Sequence, residues 1–169
     1  TANIWQNPGE IAGDGIDNDN NGYIDDVRGI NPADDNVDPM DEDGHGTVIA
    51  GIISASTNNN VGVAGINWNV KILPCRFMDV NGDGFVSDAV ECLDYVLYLK
   101  LNHGVNIVAT NNSWGSPIFS QALFDAISAH NDAGILFIAS AGNSDTNARF
   151  YPAGYDLPNL ISVTSHTEQ

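Results

Sequence analysis

Four short runs, VKILPCRFM (70–78), VNIVAT (105–110), ILFIAS (135–140) and LISVTS (160–165), limit the fold more than anything else in the chain. Each is predominantly apolar instead of strictly alternating, the pattern of a strand covered on both faces. Helical stretches separate them. SDAVECLDYVLYLKLNHG (87–104) has Ser87 placed as N-cap and Gly104 as stop, and SQALFDAISAHNDAG (120–134) is capped by Ser120 and closed by Gly134. A further helix, HGTVIAGIISAS (45–56), precedes them. This alternation predicts an α/β fold, a three-layer parallel sheet with helices on both faces. Function in such sheets gathers at the carboxyl ends of the strands, where the chain reads MDVNGDG, TNNSWG and SAGNS.

Residues 1–44 are different, rich in Gly, Asn, Asp and Pro, with loop composition and at most one short strand. The expected organisation is a single domain over 1–169, with an acidic loop-like region at 1–44 and an α/β core at 45–169. The 169 residues carry 22 Asp and Glu against 5 Lys and Arg, a net charge of −17. Twelve of those acids fall between Glu10 and Asp43, where Arg28 is the only basic residue. Nucleic acid and anionic membranes are therefore excluded as partners. The crowded carboxylates are either a solvated acidic face or call for divalent cations as counter-charge. No apolar run is long enough to span a bilayer. Cys75 lies in a strand-like run and Cys92 in a helix-like one, so both are expected as small buried hydrophobes; their pairing does not follow from sequence.

Three segments have the chemistry of a site. His45, between Gly44 and Gly46, stands in the first turn of a helix, where an imidazole is placed as a candidate general base. In ASAGNS (139–144) a strand ends in small residues, and Asn143 brings a neutral amide donor to the rim of the sheet. NNSWGSP (111–117) leaves the sheet as a polar edge suited to pairing with an extended peptide. Taken singly, each is also an ordinary turn or strand-to-helix loop.

Taken together, DEDGHGTVIAGIISA, VGVAGINWNVKILP, NNSWG and FIASAGNS resemble the subtilisin-like serine proteases, in that family's order. NIWQNPGEIAGDGIDNDNNGYIDDVRGIN also resembles the N-terminal region of subtilases with an acidic insertion. The resemblance implies peptide-bond hydrolysis by an Asp–His–Ser triad through an acyl-enzyme. His45 would be general base and acid. Asn143 would be the oxyanion donor, worth about 3–4 kcal/mol of transition-state stabilisation in this family's chemistry. Ser113, Trp114 and Gly115 would form one wall of the substrate cleft, and Ser140, Ala141 and Gly142 the other. The family's D-[ST]-G turn and G-T-S-M-A-like nucleophile helix do not occur in 1–169, and would fall upstream of Thr1 and beyond Gln169. Asp43 is too near His45 in sequence to orient its ring, and Ser113 and Ser144 occupy binding and oxyanion positions. Residues 1–169 alone are accordingly expected to be inactive, the central portion of a protease domain. The family often has a second His where this chain has Val48.

Two loops have calcium-loop character. DNDNNGYID (17–25) sets Asp17, Asp19, Asn21 and Asp25 at positions 1, 3, 5 and 9, with Gly22 at 6 and Tyr23 at 7, where a backbone carbonyl serves. Position 12 is Arg28, so a full EF-hand is excluded, and Asp14 and Asp26 are candidates to complete a different shell. DVNGDGFVSDAVE (79–91) repeats the pattern with Asp79, Asn81 and Asp83. Hard oxygens at alternate positions suit structural Ca²⁺ better than zinc.

The reading is thus a serine endopeptidase domain acting on extended peptide or protein substrates. The alternative is a non-catalytic, calcium-stabilised peptide-binding module or pseudoprotease. A nucleotide-binding protein is excluded because no strand leads into G-x-G-x-x-G or a P-loop. Family resemblance further implies an extracellular or cell-surface location, and a propeptide or the remainder of the catalytic domain as partner.

Overall fold

The computed structural model describes residues 2–144 and 146–165. The chain divides into two compact units, Thr1–Cys92 and Leu93–Gln169.

In the first unit a 3-10 turn, Pro32–Asp34, and one helix, α1 (His45–Ser54), stand among long loops. Within α1 only Ser54 is buried, and Val48 and Ile52 are 61% and 50% exposed. The helix is instead held at its carboxyl end. Its last carbonyls, which have no partner inside the helix, accept Ile66 N–H at Ile52 O (2.9 Å), Asn67 N–H at Ile53 O (2.9 Å) and the Asn3 amide at Ser54 O (2.8 Å).

Residues 70–78 are not the continuous strand that their apolar run predicts. They pair only in isolated bridges, parallel from Ile72 to Ile4 and from Cys75 to Ile30, and antiparallel from Met78 to Gly84. Pro74 lies between the two parallel bridges and has no N–H to extend a ladder. The backbone of Gly29 also approaches so closely that a Cβ there would meet Pro74 O at 2.0 Å. Ile30, fully buried, is the apolar centre of this layer.

The helix expected at 87–104 is α2 (Val86–His103). Its N-cap is not Ser87, which lies inside the first turn and donates its hydroxyl to Asp88 Oδ1 (2.8 Å); the first backbone bond runs from Ala89 N to Phe85 O (3.2 Å). Gly104 ends the helix at φ +67°, as expected. Ala89, Cys92, Val96 and Leu99 form its buried stripe, at helical spacing. Cys92 and Cys75 are not separate hydrophobes. They form a disulfide with Cα atoms 5.8 Å apart, a pairing set by tertiary approach and invisible in the spacing of two cysteines.

In the second unit three parallel strands, β1 (Ala109–Asn112), β2 (Leu136–Ser140) and β3 (Leu160–Val163), form a sheet in that order. Ala109 sits opposite Leu136, and Phe137 opposite Leu160. β1 starts later than VNIVAT suggests because the chain leaving α2 uses its own backbone groups first: Val105 N bonds Leu99 O and Ile107 N bonds Val105 O. Helix α3 (Gln121–Asp132) joins β1 to β2, with the Ser120 hydroxyl accepting Leu123 N–H at 3.3 Å, as expected of the cap. Leu123, Ala126, Ile127 and His130 are its buried face, at i, i+3, i+4, i+7, and the helix packs on β2. Phe137, Ile135 and Leu123 complete the core, each side chain contributing about 1.5–3 kcal/mol by burial. His130 is fully buried and meets Leu93 O through Nε2 at 2.9 Å, and burial holds its pKa below the usual value.

Closing the 17-residue separation between Cys75 and Cys92 restricts the unfolded chain, so removing the disulfide should cost about 3 kcal/mol. Urea unfolding of the Cys75→Ser/Cys92→Ser variant against the oxidised protein would show it, and equal midpoints would contradict it.

Candidate active site

His45 is the first residue of α1 and is exposed, with Gly44 before it in the left-handed region at φ +96°. Asp43 does not address the imidazole; its Oδ2 accepts the backbone N–H of His45 at 3.1 Å. The group that organises this helix start is Asp41, which sequence reading passed over. Asp41 Oδ1 accepts the N–H of Gly44 (2.9 Å) and of Asp43 (3.1 Å), and Oδ2 accepts both N–H (2.7 Å) and hydroxyl (2.6 Å) of Thr47. Partial burial is the largest single influence on its pKa and pushes it up. The bonds from Thr47, Gly44 and Asp43 together outweigh burial and bring it down to about 2. The carboxylate thus caps the amino end of the helix and fixes the backbone that carries His45.

The second unit holds the other segments, all at the carboxyl ends of its strands. A cleft of about 250 Å³ opens there, lined by Ser113 after β1, Ser140 and Asn143 at the end of β2, and Thr164 and Ser165 after β3. Asn143 is exposed. Local bonds shape both flanks. Asn111 donates its amide to Ser113 Oγ (3.0 Å), and Trp114 donates its indole N–H to buried Asn112 (3.3 Å). Across the cleft Ser140 Oγ accepts Gly142 N–H (3.2 Å), and Ala141 N–H bonds Val163 O (2.8 Å). Gly142 sits at φ +87°, where a side chain would be strained. Gly115 and Trp114 follow Ser113 on the β1 side, while Ala141 is exposed on the other. The structure thus gathers Ser113, Ser140 and Asn143 around one cleft, together with Asn111 and Asn112 of the same NNSWGSP segment, and adds the end of β3, which sequence reading had not singled out.

The acidic loop is bound chiefly through its own amides. Asp17 accepts Asn21 N–H (3.1 Å) and Gly22 N–H (2.9 Å), Asp25 accepts Gly13 N–H and Gly15 N–H, and Asn21 Oδ1 accepts Tyr23 N–H (2.8 Å). The Tyr23 hydroxyl donates to Glu91 on α2 at 2.9 Å. Carboxylate oxygens of Glu10, Asp19 and Asp26 lie within 4.8 Å of one another, Asp26 being fully buried. Three hard oxygens so placed fit a divalent cation of the calcium type. Glu10 was missed because it lies well outside the 17–25 repeat. The 79–84 loop is a closed turn: Asp79 Oδ1 accepts N–H of Asn81 (2.8 Å) and Asp83 (3.0 Å), which lower its pKa.

These features can be set beside known proteins. Residues 6–169 match the subtilase family, peptidase S8, and the chain belongs to that family. It is 38% identical over 142 residues to Subtilisin-like protease 1 of Plasmodium berghei (strain Anka), covering 83% of this chain and 23% of that protein. With the Thermophilic serine proteinase of Bacillus sp. (strain AK1) it shares 35% identity over 137 residues, covering 81% of this chain and 32% of the relative. The crystal structure of a cold adapted subtilisin-like serine proteinase superposes with a TM-score of 0.68 at 30% identity, over 82% of this chain and 46% of the other. The chain therefore spans 23% and 32% of the length of the two curated relatives. The fold is the subtilisin-like α/β one, a parallel sheet with helices on both faces.

Losing the Asp41 cap, by Asp41→Ala, should destabilise the protein by about 1 kcal/mol in urea unfolding. The folded pKa lies below the unfolded value of 3.8, so the carboxylate's contribution is complete above pH 3.8 and fades as pH falls through about 2. A wild-type-to-variant difference that stays constant from pH 5 to pH 2 would contradict this.

Proposed function

We propose that this chain is part of a serine endopeptidase catalytic domain that cuts extended peptides through an acyl-enzyme. The observation that carries the reading is the subtilase match across residues 6–169, with His45 on a helix start and Asn143 at the rim of a parallel sheet. In this reading His45 takes the proton of the serine nucleophile and returns it to the leaving amine. The Asn143 amide donates to the oxyanion as it forms, and being neutral it does so without titrating. Ser113, Trp114 and Gly115 on one side, and Ser140, Ala141 and Gly142 on the other, hold the substrate backbone. Residues 1–169 hold no D-[ST]-G turn and no nucleophile helix, so this stretch by itself is proposed to be inactive and the whole protein active. A propeptide, or the rest of the catalytic domain, is the proposed protein partner.

The test uses the full-length natural protein. A fluorophosphonate should add once, giving a single mass increment, and His45→Ala should abolish labelling. Asn143→Ala should lower kcat by about 10²–10³-fold with KM changed far less, the effect size already known for this family's oxyanion donor. No adduct and no cleavage, with peptide binding retained, would favour a pseudoprotease instead.

Calcium is proposed as a structural ion at the acidic loop. Glu10, Asp19 and Asp26 would hold it through carboxylate oxygens, with Asp17, Asn21, Asp25 and the Tyr23 carbonyl in the same loop and Asp79, Asn81 and Asp83 as a second, weaker candidate set. The ion would supply counter-charge to a chain of net charge −17. Calcium at a hundredfold its Kd should raise stability by about 2.7 kcal/mol, and Asp19→Asn should remove most of that gain. Equal melting temperatures in Ca²⁺ and in chelator would remove this part of the proposal.

An extracellular or cell-surface location is also proposed. The Cys75–Cys92 disulfide supports it, because such bonds persist in oxidising compartments. Among the described residues no helix is long and apolar enough to cross a membrane.

A further inference from the structure

Two glycines, one from each proposed wall of the cleft, face the same aromatic ring. A Cβ on Gly115 would lie 2.2 Å from Cε1 and 2.6 Å from Cδ1 of Phe150, and one on Gly142 would lie 3.4 Å from Cδ1 and 3.6 Å from Cε1. A single ring edge therefore touches both walls. Any side chain at Gly115 would collide with it, so the glycine is required by the ring.

The backbone beside Phe150 is fixed. Tyr151 N–H donates to Ser116 O (2.8 Å) and Ser116 N–H donates to Tyr151 O (2.7 Å), an antiparallel bridge next to Gly115. Gly154 N–H donates to Phe150 O at 2.7 Å. Tyr151 in turn packs on Tyr155 with the rings tilted by 40° (4.7 Å between centroids) and meets Phe119 edge-on (5.5 Å). The open part of the cleft agrees with a filled gap: its 250 Å³ is lined by Ser113, Ser140 and Asn143, and by neither Gly115 nor Gly142.

We infer that Phe150 is the residue that sets side-chain specificity in this cleft, by filling the space between Gly115 and Gly142. The substrate residue on the acyl side of the cut bond (P1) must then be small: Gly, Ala or Ser. The inference rests on the proposed function, since it takes these two segments as substrate walls. Protein interiors are close-packed, so one space does not hold two rings. A Leu or Phe at P1 either displaces Phe150, at the expense of its contacts with both walls, or leaves its own side chain unburied. Each methylene that a pocket cannot accommodate costs roughly 10-fold or more in kcat/KM.

The test takes the full-length protein with otherwise identical peptide anilides bearing Ala, Val, Leu or Phe at P1, and measures equilibrium binding of peptides ending in Ala or Phe. The wild type should cut the Ala substrate at least roughly 10-fold better than the Phe substrate, and Phe150→Gly should invert that order. Phe150→Ala should fall between them. If cleavage proceeds and the Ala-to-Phe ratio moves by less than about twofold in both variants, Phe150 is only a packing residue and the endopeptidase reading stands. If nothing is cut, yet Ala-ended peptides bind better and Phe150→Gly reverses this, the specificity role stands and the endopeptidase reading falls. Should neither cleavage nor binding occur, both are overturned. If the variants do not fold, the wild-type series decides: preference for Phe or Leu over Ala at P1 overturns the inference.

Discussion

Asp26 carries a carboxylate to a place that water does not reach. Its oxygens accept the amides of Asn7 (3.0 Å) and Asn21 (2.9 Å), and Asn7 also reaches Asp19 at 2.9 Å. Leaving such a charge unpartnered costs about 3–5 kcal/mol, enough to dictate the path of a loop region with little apolar material. Asn7 must come inward, and its backbone pairs with Val27 O at 2.9 Å. The turn that follows delivers Ile30 to the buried centre and to its bridge with Cys75. From Cys75 the disulfide continues to α2. Much of the first unit thus hangs on one bonded charge.

The second unit is organised on a different principle. Its strands are short, and their parallel ladders bring three polar turns to the same edge. Those turns are stiffened from within, by Asn111 on Ser113, by Trp114 on Asn112 and by Ser140 on the Gly142 amide. Bonds of this kind hold the backbone of each turn in one conformation, so the shape of the cleft does not depend on a bound molecule.

What the sequence reveals here divides by range. Ser120, Gly104 and Gly134 are legible because cap and stop chemistry acts within one helical turn. The apolar runs of β2 and β3 are legible because a strand covered on both faces has no polar alternation to obscure it. Pro74 defeats the same reasoning: hydrophobicity calls for a strand and the missing N–H forbids a continuous one. Asp41 escapes because it caps from outside the usual position, reaching Thr47 six residues on. Glu10 bonds the amides of Asn18, Asp19 and Asp25, a set no linear repeat announces. Ser87 had the right chemistry in the wrong place, since the helix had already begun one residue earlier, at Val86. The likeness to subtilases located the cleft segments, whereas Phe150 carries no signature and is noticed only through the two glycines it touches.

Gly65 packs so tightly on the end of α1 that a Cβ would lie 2.3 Å from Ala55 N, and its own N–H bonds Ala55 O at 3.2 Å. Residues 56–64 thus form a loop already closed at its base, with Val61 and Val63 on its exposed arc. The entropy of closing a loop grows only with the logarithm of its length, about 0.6 kcal/mol for each doubling. Evolution, or a designer, can therefore lengthen this segment or graft a foreign peptide onto it at little thermodynamic cost. Gly65 itself cannot change, because it is the knot that keeps any such excursion from pulling on the helix of His45.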